Sequence, residues 1–385
     1  MKTDMLLRTM KKSDFVFILS SFLIWRIVLF IFLFIAIKFV PLQQNFLGGG
    51  LENYLKDPYL WSWLNFDGEH YLSLARIGYQ PLTYFYFPVF PLLIRFVADI
   101  LVEAQKVFSG LIVSNISFLL ALIGLWKLVL LDFKKVVAKM TIILMLLFPT
   151  SFYFGSYYTE STFLALTIWS FYLVRTNKWF SSGFLASIAT VTRVIGVALF
   201  PALMVEYWGE KKKSFKKLLS IVLVPLGIVL YMAYLKIKTG DPFEFLNSVS
   251  IFGDQRSSQF ILLPQVFYRY IVKIIPNLTY SYFPVVFTTF LEIFVAIAFL
   301  ALLILGIKKV RWSYLVYALL SYIIPSLSGS FSSFPRYVLV IFPAFIVASI
   351  YLVKAPRLLQ FLIFAILFIG LGFATAFFTR GIWIA

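Results

Sequence analysis

The sequence predicts an all-α fold, a polytopic bundle of about eleven membrane-crossing helices. Two observations predict it, and a third orients it. Hydrophobic residues make up 62% of the chain and charged residues only 13%, with a mean hydropathy of +0.94. A water-soluble domain turns about half of its residues to solvent and cannot hide that much apolar surface. Apolar runs near the ~20 residues that cross a bilayer, at ~1.5 Å each, recur along the whole chain. Between them, lysine and arginine gather in alternate loops, as they do on cytoplasmic faces.

The first span, 15–40, follows Lys2, Arg8, Lys11 and Lys12, which places its start in the cytoplasm. No cleavable leader is expected, because the run is too long for a signal core and no small-residue cleavage site follows it. A long external first loop, 41–105, then holds Gly48-Gly49-Gly50, Asp57-Pro58 and the polar stretch 61–71. Inside this loop, 85–102 is apolar but carries Pro88, Pro91, Arg95 and Asp99, so it either spans or lies along the external interface. The next span, 107–131, leads to Lys134, Lys135 and Lys139, and those lysines belong inside only on the interfacial reading. The chain goes out through 136–154 and returns through 163–174 toward Arg175 and Lys178. The stretch 180–208 must start and end inside, since Lys211, Lys212, Lys213, Lys216 and Lys217 follow it. Two short helices turning near Arg193-Val194-Ile195-Gly196 satisfy that condition. After 218–235 crosses outward, a second external region covers 236–280. The spans 281–307, 312–330, 334–353 and 358–379 complete the bundle and leave 380–385 outside. Lys308, Lys309, Arg311, Lys354 and Arg357 fall inside. No repeat and no linker divides the chain. Residues 1–385 therefore read as one membrane domain, a catalytic module at 1–235 followed by C-terminal helices at 236–385.

The chain carries 34 Lys and Arg against 16 Asp and Glu, a net charge of +18. In a soluble protein that excess would suggest nucleic acid. Here it is topological charge facing anionic lipid, and no nucleic-acid partner is expected. The absence of Cys and the single His exclude a disulfide framework, a thiolate metal site and a His-rich one.

Ionisable groups at membrane depth are costly and mark water-filled sites. A helix over 69–77, ended by Gly78, would stand Asp67, His70 and Tyr71 on one side. Spacing alone leaves two readings of Asp67: the N-cap of that helix, or a working carboxylate. His70 reads as a hydrogen-bonded aromatic or a catalyst, and Glu69 as a partner of Arg76 or a site residue. Glu160 sits in a run almost free of other charge. It is either an acid favoured by the start of the next helix or a functional group. Arg193, within Thr190-Val191-Thr192-Arg193-Val194-Ile195-Gly196, favours function. Arg26, inside the first span, either works or pairs with an acid to join two helices. Arg336, in Ser332-Ser333-Phe334-Pro335-Arg336-Tyr337, is an interfacial anchor or an anion ligand. Asp241 before Pro242 has the signature of a helix cap, a structural role.

Four stretches together resemble the GT-C superfamily of lipid-carrier glycosyltransferases, and within it the PIG-V family. That family supplies the second mannosyltransferase of glycosylphosphatidylinositol assembly and has prokaryotic relatives. Phe66-Asp67-Gly68-Glu69-His70-Tyr71-Leu72, continuing to Gly78-Tyr79, is similar to a Trp-Asp-x-x-His-Phe…Gly-Tyr block. Tyr86-Phe87-Pro88-Val89-Phe90-Pro91 is similar to a Phe-Phe-Pro-x-x-Pro block. Phe148-Pro149-Thr150-Ser151, leading to Tyr157-Tyr158-Thr159-Glu160-Ser161, and then Thr192-Arg193 complete the ordered set. The resemblance covers roughly 15–205. Beyond that it rests on topology and Pro335-Arg336-Tyr337. Phe66 stands where the family often has Trp, and Gly68 also departs from it; neither change removes a titratable group.

The resemblance implies inverting transfer of mannose or a similar hexose from a polyprenyl-phosphate carrier to a lipid-linked or glycan acceptor. The site would lie on the non-cytoplasmic side of a prokaryotic plasma membrane, or of the endoplasmic reticulum in a eukaryote. Such chemistry needs a base for the acceptor hydroxyl, donors for the departing phosphate, and access from lipid. Asp67 is the expected base. Arg193 and Arg336 are the expected phosphate ligands, Glu69 and Glu160 orient sugar hydroxyls or hold the arginines, and His70 donates to a sugar or phosphate oxygen. No metal and no cofactor beyond the lipid-linked donor is expected. A divalent ion held by Asp67, Glu69 and Glu160 is the alternative. Two rival functions share the helix count: a transporter or lipid flippase, which would show internal repeats, and a GT-C enzyme for another sugar such as glucose or aminoarabinose. A third, a non-catalytic scaffold, leaves the membrane-depth charges unexplained.

Overall fold

A computed structural model of the protein describes residues 10–100, 106–247 and 261–384. The expectations placed on Lys2 and Arg8, on 101–105, on 248–260 and on Ala385 lie outside the described residues. All regular structure among the described residues is helical. The first apolar run forms α1, Lys12–Phe39. Its buried Ile18, Phe22, Trp25, Leu29, Leu33 and Ala36 recur every three or four residues, while Ile24, Ile27, Ile31 and Phe34 stay exposed. One stripe therefore packs inward and the rest faces lipid. The first loop folds into short pieces: α2, Gly50–Lys56, α3, Pro58–Trp61, and α4, Asp67–Ile77. Asp57 caps α3 by accepting the Leu60 N–H at 3.1 Å, with Pro58 in the first turn. Gly78, at φ 84°, closes α4 in a conformation that suits glycine. The apolar stretch after it is α5, Val89–Ile100. Its 12 residues reach ~18 Å, short of a hydrocarbon core ~30 Å thick.

The body follows as α6, Lys106–Leu130, α7, Lys135–Leu147, α8, Glu160–Arg175, α9, Trp179–Thr190, α10, Leu199–Trp208, and α11, Phe215–Thr239. The second loop contributes α12, Glu244–Asn247, and α13, Leu263–Tyr268, before α14, Phe283–Gly306, and α15, Trp312–Ser326. The chain ends with α16, Phe334–Tyr337, α17, Phe342–Leu352, and α18, Arg357–Thr379. Among the described residues, α1, α6, α11, α14 and α18 are long and apolar enough to cross a membrane alone. The protein is thus an integral, multi-pass membrane protein. The other crossings read from the sequence fall on shorter helices, several of them extended by 3₁₀ turns such as Ser151–Gly155 and Val194–Ala198.

Two breaks shape the site. The stretch 180–208 divides into α9 and α10, with Arg193 in extended backbone between them. The single straight span expected at 334–353 is instead bent by 82° at Ile341. Pro335 and Pro343 each sit in the first turn of a new segment, where a missing N–H costs nothing, and neither permits a continuous ladder.

The helices close on one another through small residues. A Cβ at Gly183 would strike the Ser220 carbonyl, and one at Gly227 the Ser187 carbonyl, so α9 and α11 meet nearly backbone to backbone. At the lysine-rich end, ion pairs clamp the bundle. Arg175 forks onto Asp132 at 2.7 and 2.8 Å and also donates to the Tyr314 hydroxyl. Arg311 forks onto Glu206 at 2.8 Å through two nitrogens, and the Ser313 hydroxyl donates to the same carboxylate. Arg26 finds no acid of the kind expected. Its guanidinium lies over the rings of Trp63, at 4.4 Å, and Phe30, at 4.9 Å, and its Nη1 has no hydrogen-bond partner among the described residues. Asp241 accepts the Phe243 N–H at 2.8 Å and the Asn247 amide at 2.6 Å, which ties the turn into α12.

Candidate active site

The end of the bundle opposite the lysines gathers four charged side chains. The helices α8, α9 and α15 have one end at Arg175, Lys178 and Arg311 respectively. Glu160, Arg193 and the loop to Arg336 lie at their far ends, some 15 to 24 Å away at ~1.5 Å per residue. Asp67 joins them from the first loop.

Asp67 is the first residue of α4, not its cap. The cap is Phe66, which offers no side-chain hydrogen bond. The N-cap reading of Asp67 therefore fails, and its carboxylate is free for other partners. Phe66 adopts φ 60°, ψ −123°, costly for a residue with a Cβ, on the order of 1–3 kcal/mol. Packing holds it there: its ring contacts Phe46, Phe378 and Trp383, and its N–H donates to Phe46 at 3.0 Å. Asn65, fully buried, fixes the turn further by accepting the Gly48 N–H and donating to the Phe378 carbonyl.

Arg336 connects the two acids. Its Nη1 donates to Asp67 Oδ2 at 2.5 Å and its Nε to Glu160 Oε1 at 2.5 Å. Arg193 Nη1 donates to that same Glu160 oxygen and to Thr159 Oγ1. Two carboxylates and two guanidiniums thus form one chain of neutral total charge, Asp67–Arg336–Glu160–Arg193. The Glu160 side chain is fully sealed and that of Arg336 nearly so, whereas 26% of the Asp67 side chain is open. Glu160 Oε2 has no hydrogen-bond partner among the described residues. Beneath the network, the Arg336 guanidinium lies over the rings of Tyr158 and Tyr153, at 4.6 and 5.3 Å. The Thr150 hydroxyl donates to the Pro335 carbonyl at 2.6 Å and pins the loop that carries Arg336.

Burial opposes ionisation of Asp67. The charge and hydrogen bond of Arg336, then His70 and the Tyr86 hydroxyl, overcome that and hold its carboxyl below the usual aspartate value. Tyr86 donates to Asp67 Oδ1 at 3.2 Å and stacks on His70, ring centroids 5.0 Å apart.

Asp67, Glu160, Arg193 and Arg336 are therefore in one network, with His70 beside it through Tyr86. Glu69 is not: it is exposed on the outer side of α4. It forms no ion pair with Arg76 among the described residues. The three acids weighed as ligands of a divalent ion do not converge either, since Arg336 occupies the space between Asp67 and Glu160 and Glu69 points away. Tyr86, Tyr153 and Tyr158 are the residues that sequence reasoning passed over. All three stand in or beside the blocks that carried the resemblance, but nothing in local spacing aims the Tyr86 hydroxyl at a carboxylate nineteen positions earlier. A carboxylate at an opening, backed by two guanidiniums, can take a proton and hold an anion.

The family model described as Mannosyltransferase (PIG-V) matches residues 16–235, more than half of the chain, including Asp67, Glu160 and Arg193. Among solved structures, ArnT from Cupriavidus metallidurans in the apo state is similar in fold, with a TM-score of 0.51 at 18% identity, covering 87% of this chain and 60% of that one. An oligosaccharyltransferase from Archaeoglobus fulgidus in the apo form covers 96% of this chain and 56% of its own, with a TM-score of 0.49 at 13% identity. This chain thus spans about 60% of the ArnT chain's length. No curated protein sequence matches it. The chain has the GT-C fold and belongs to the PIG-V family of mannosyltransferases.

Proposed function

We propose that this protein is an inverting glycosyltransferase. It moves mannose, or a closely similar hexose, from a polyprenyl-phosphate carrier to a hydroxyl of a lipid-linked or glycan acceptor. One observation carries this reading: a partly open aspartate joined to a buried arginine pair by a shared glutamate. Asp67 takes the acceptor proton as the acceptor oxygen bonds to the anomeric carbon. The bond from that carbon to the phosphate oxygen breaks, and its electron pair leaves with the phosphate. Arg336 and Arg193 stabilise that charge, Arg336 by offering its fork. Glu160 keeps both guanidiniums in place. His70, beside Asp67, donates to a sugar or phosphate oxygen. The centre lies opposite the lysine-rich loops, which favours the non-cytoplasmic face.

The low proton affinity of the resting Asp67 has a use in this scheme. A base works best with a pKa near the operating pH. When a donor phosphate draws Arg336 toward itself, Asp67 loses its main stabilising charge and becomes a better base only with the donor in place. Tyr86→Phe removes the remaining donor to Oδ1. About tenfold slower transfer is expected, on the scale of one hydrogen bond to a charged group. The acid limb of the rate profile should move to higher pH, because the lost hydroxyl favoured the ionised form. An unchanged rate and limb would remove Tyr86 from the site.

The donor is tested in washed membranes with radiolabelled polyprenyl-phosphate mannose and no nucleotide sugar. Label in a lipid or glycan product supports the reading. Label entering only from a nucleotide sugar, or crossing the membrane without any product, overturns it, and the latter result would favour transport.

A further inference from the structure

A second site for an anion lies in the other half of the chain, apart from Asp67. The segment after α13 winds into a π-helical turn, Arg269–Ile274, a local geometry that recurs at functional positions. Gln265, Arg269 and Lys273 follow at intervals of four and share one face. That face lines a cleft of about 340 Å³ together with Ile261, Tyr268 and Gly329. Two cations and no acid line it among the described residues.

The other face is apolar and uncovered. Leu262, Tyr268, Ile271 and Val272 are all exposed, between 49% and 64%. A short helix with apolar residues open on one side and cations on the other lies naturally at a membrane interface. The segment is also firmly held. Tyr270 is buried and donates to Glu292 Oε2 of α14 at 2.7 Å, and its ring packs on Phe331. Arg269 Nη1 donates to the Gly329 carbonyl at 3.2 Å. Gly329 belongs to the loop that leads on to Arg336, so the cleft and the Asp67 network share one backbone segment.

We propose that this cleft binds the phosphate headgroup of a membrane lipid, with the phosphate at Arg269 and Lys273 and the lipid chain beside Ile271 and Val272. The assignment does not depend on Asp67 being the base. Two lipids carry that chemistry, a bulk anionic phospholipid and a polyprenyl phosphate.

The test is direct binding to purified full-length protein, with phosphatidylglycerol, polyprenyl phosphate, phosphatidylcholine and inorganic phosphate as separate probes. Three variants are compared with the parent: Lys273→Glu, Lys273→Ala with Arg269→Lys, and Asp67→Asn. The Lys273 side chain makes no hydrogen bond or ion pair among the described residues, and Arg269→Lys retains charge, so folding is preserved. Lys273→Glu should weaken anionic-lipid binding at least fivefold, the scale of one basic group at an anionic surface, and Asp67→Asn should leave it unchanged. Loss with phosphatidylglycerol alone identifies bulk lipid, loss with polyprenyl phosphate alone identifies a substrate-type lipid, and loss with both identifies the phosphate as the common element. Equal binding by parent and Lys273→Glu, equal binding of phosphatidylcholine and the anionic lipids, or binding of inorganic phosphate alone overturns the proposal.

Discussion

Replacing Asp67 by Asn is expected to lower sugar transfer by about three orders of magnitude while leaving the protein folded in the membrane. General-base catalysis contributes ~10²–10⁴ to rate. Asn matches Asp in shape, cannot take a proton, and still offers an oxygen to Tyr86 and Arg336. The stability cost should stay near that of one charged hydrogen bond, about 1.5–3 kcal/mol, because Arg336 keeps Glu160 at 2.5 Å. Asp67→Glu separates charge from position. It preserves the ion pair but moves the oxygen by one carbon, and about a hundredfold loss is expected from misplacement alone. Transfer from polyprenyl-phosphate mannose, thermal stability in detergent and membrane abundance are measured together. Near-normal turnover of Asp67→Asn at normal abundance would exclude Asp67 as base. An abundance collapse in step with activity would show that its role is to support Arg336.

Which parts of this arrangement the sequence revealed follows from the forces involved. The ends of α1, α6, α14 and α18 lie within a few residues of the apolar runs, because length and hydropathy dominate a membrane helix. The break at Arg193 was legible from charge alone, since lysines on both sides of 180–208 permit only an even number of passes. The bend at Ile341 was not. Hydropathy is the same for a straight span and a broken one, and Pro335 and Pro343 mark possible starts without showing that both are used. Asp67 was legible as a candidate but not as a residue inside α4. That depends on Phe66 holding a positive φ, enforced by Phe378 and Trp383 from the far end of the chain. Glu69 looked equivalent to Asp67 in the sequence. Two positions on a helix are ~200° apart at ~100° per residue, so only one of the pair can face the network. The clamp of Asp132, Arg175, Glu206 and Arg311 left no local trace, because each partner comes from a distant helix.

Arg336 should be the least replaceable side chain in the protein. Nε and Nη1 address two acids at once, and a lysine has a single nitrogen that cannot reproduce the fork. Arg336→Met leaves Asp67 and the sealed Glu160 with one cation, Arg193. Removing one partner of a buried ion pair costs about 3–5 kcal/mol, a large share of the ~5–15 kcal/mol that folded domains possess. This variant is therefore expected to accumulate poorly. Arg336→Lys should accumulate but transfer sugar at least a hundredfold more slowly, because the departing phosphate loses its forked donor. Its pH behaviour distinguishes catalysis from support. Arg336 lowers the folded-state pKa of Asp67, so the stabilisation from their pairing is fully present above the unfolded value of about 3.9. It is lost as pH falls through the depressed folded value. In Arg336→Lys that folded value should rise. The stability gap to the parent should then be widest near neutrality and shrink in acid, and the acid limb of the rate profile should shift upward. A variant with the parent's acid limb, or with a stability gap that does not change with pH, would show that Arg336 does not set the charge state of Asp67, and the coupling between donor arrival and base strength would fall with it.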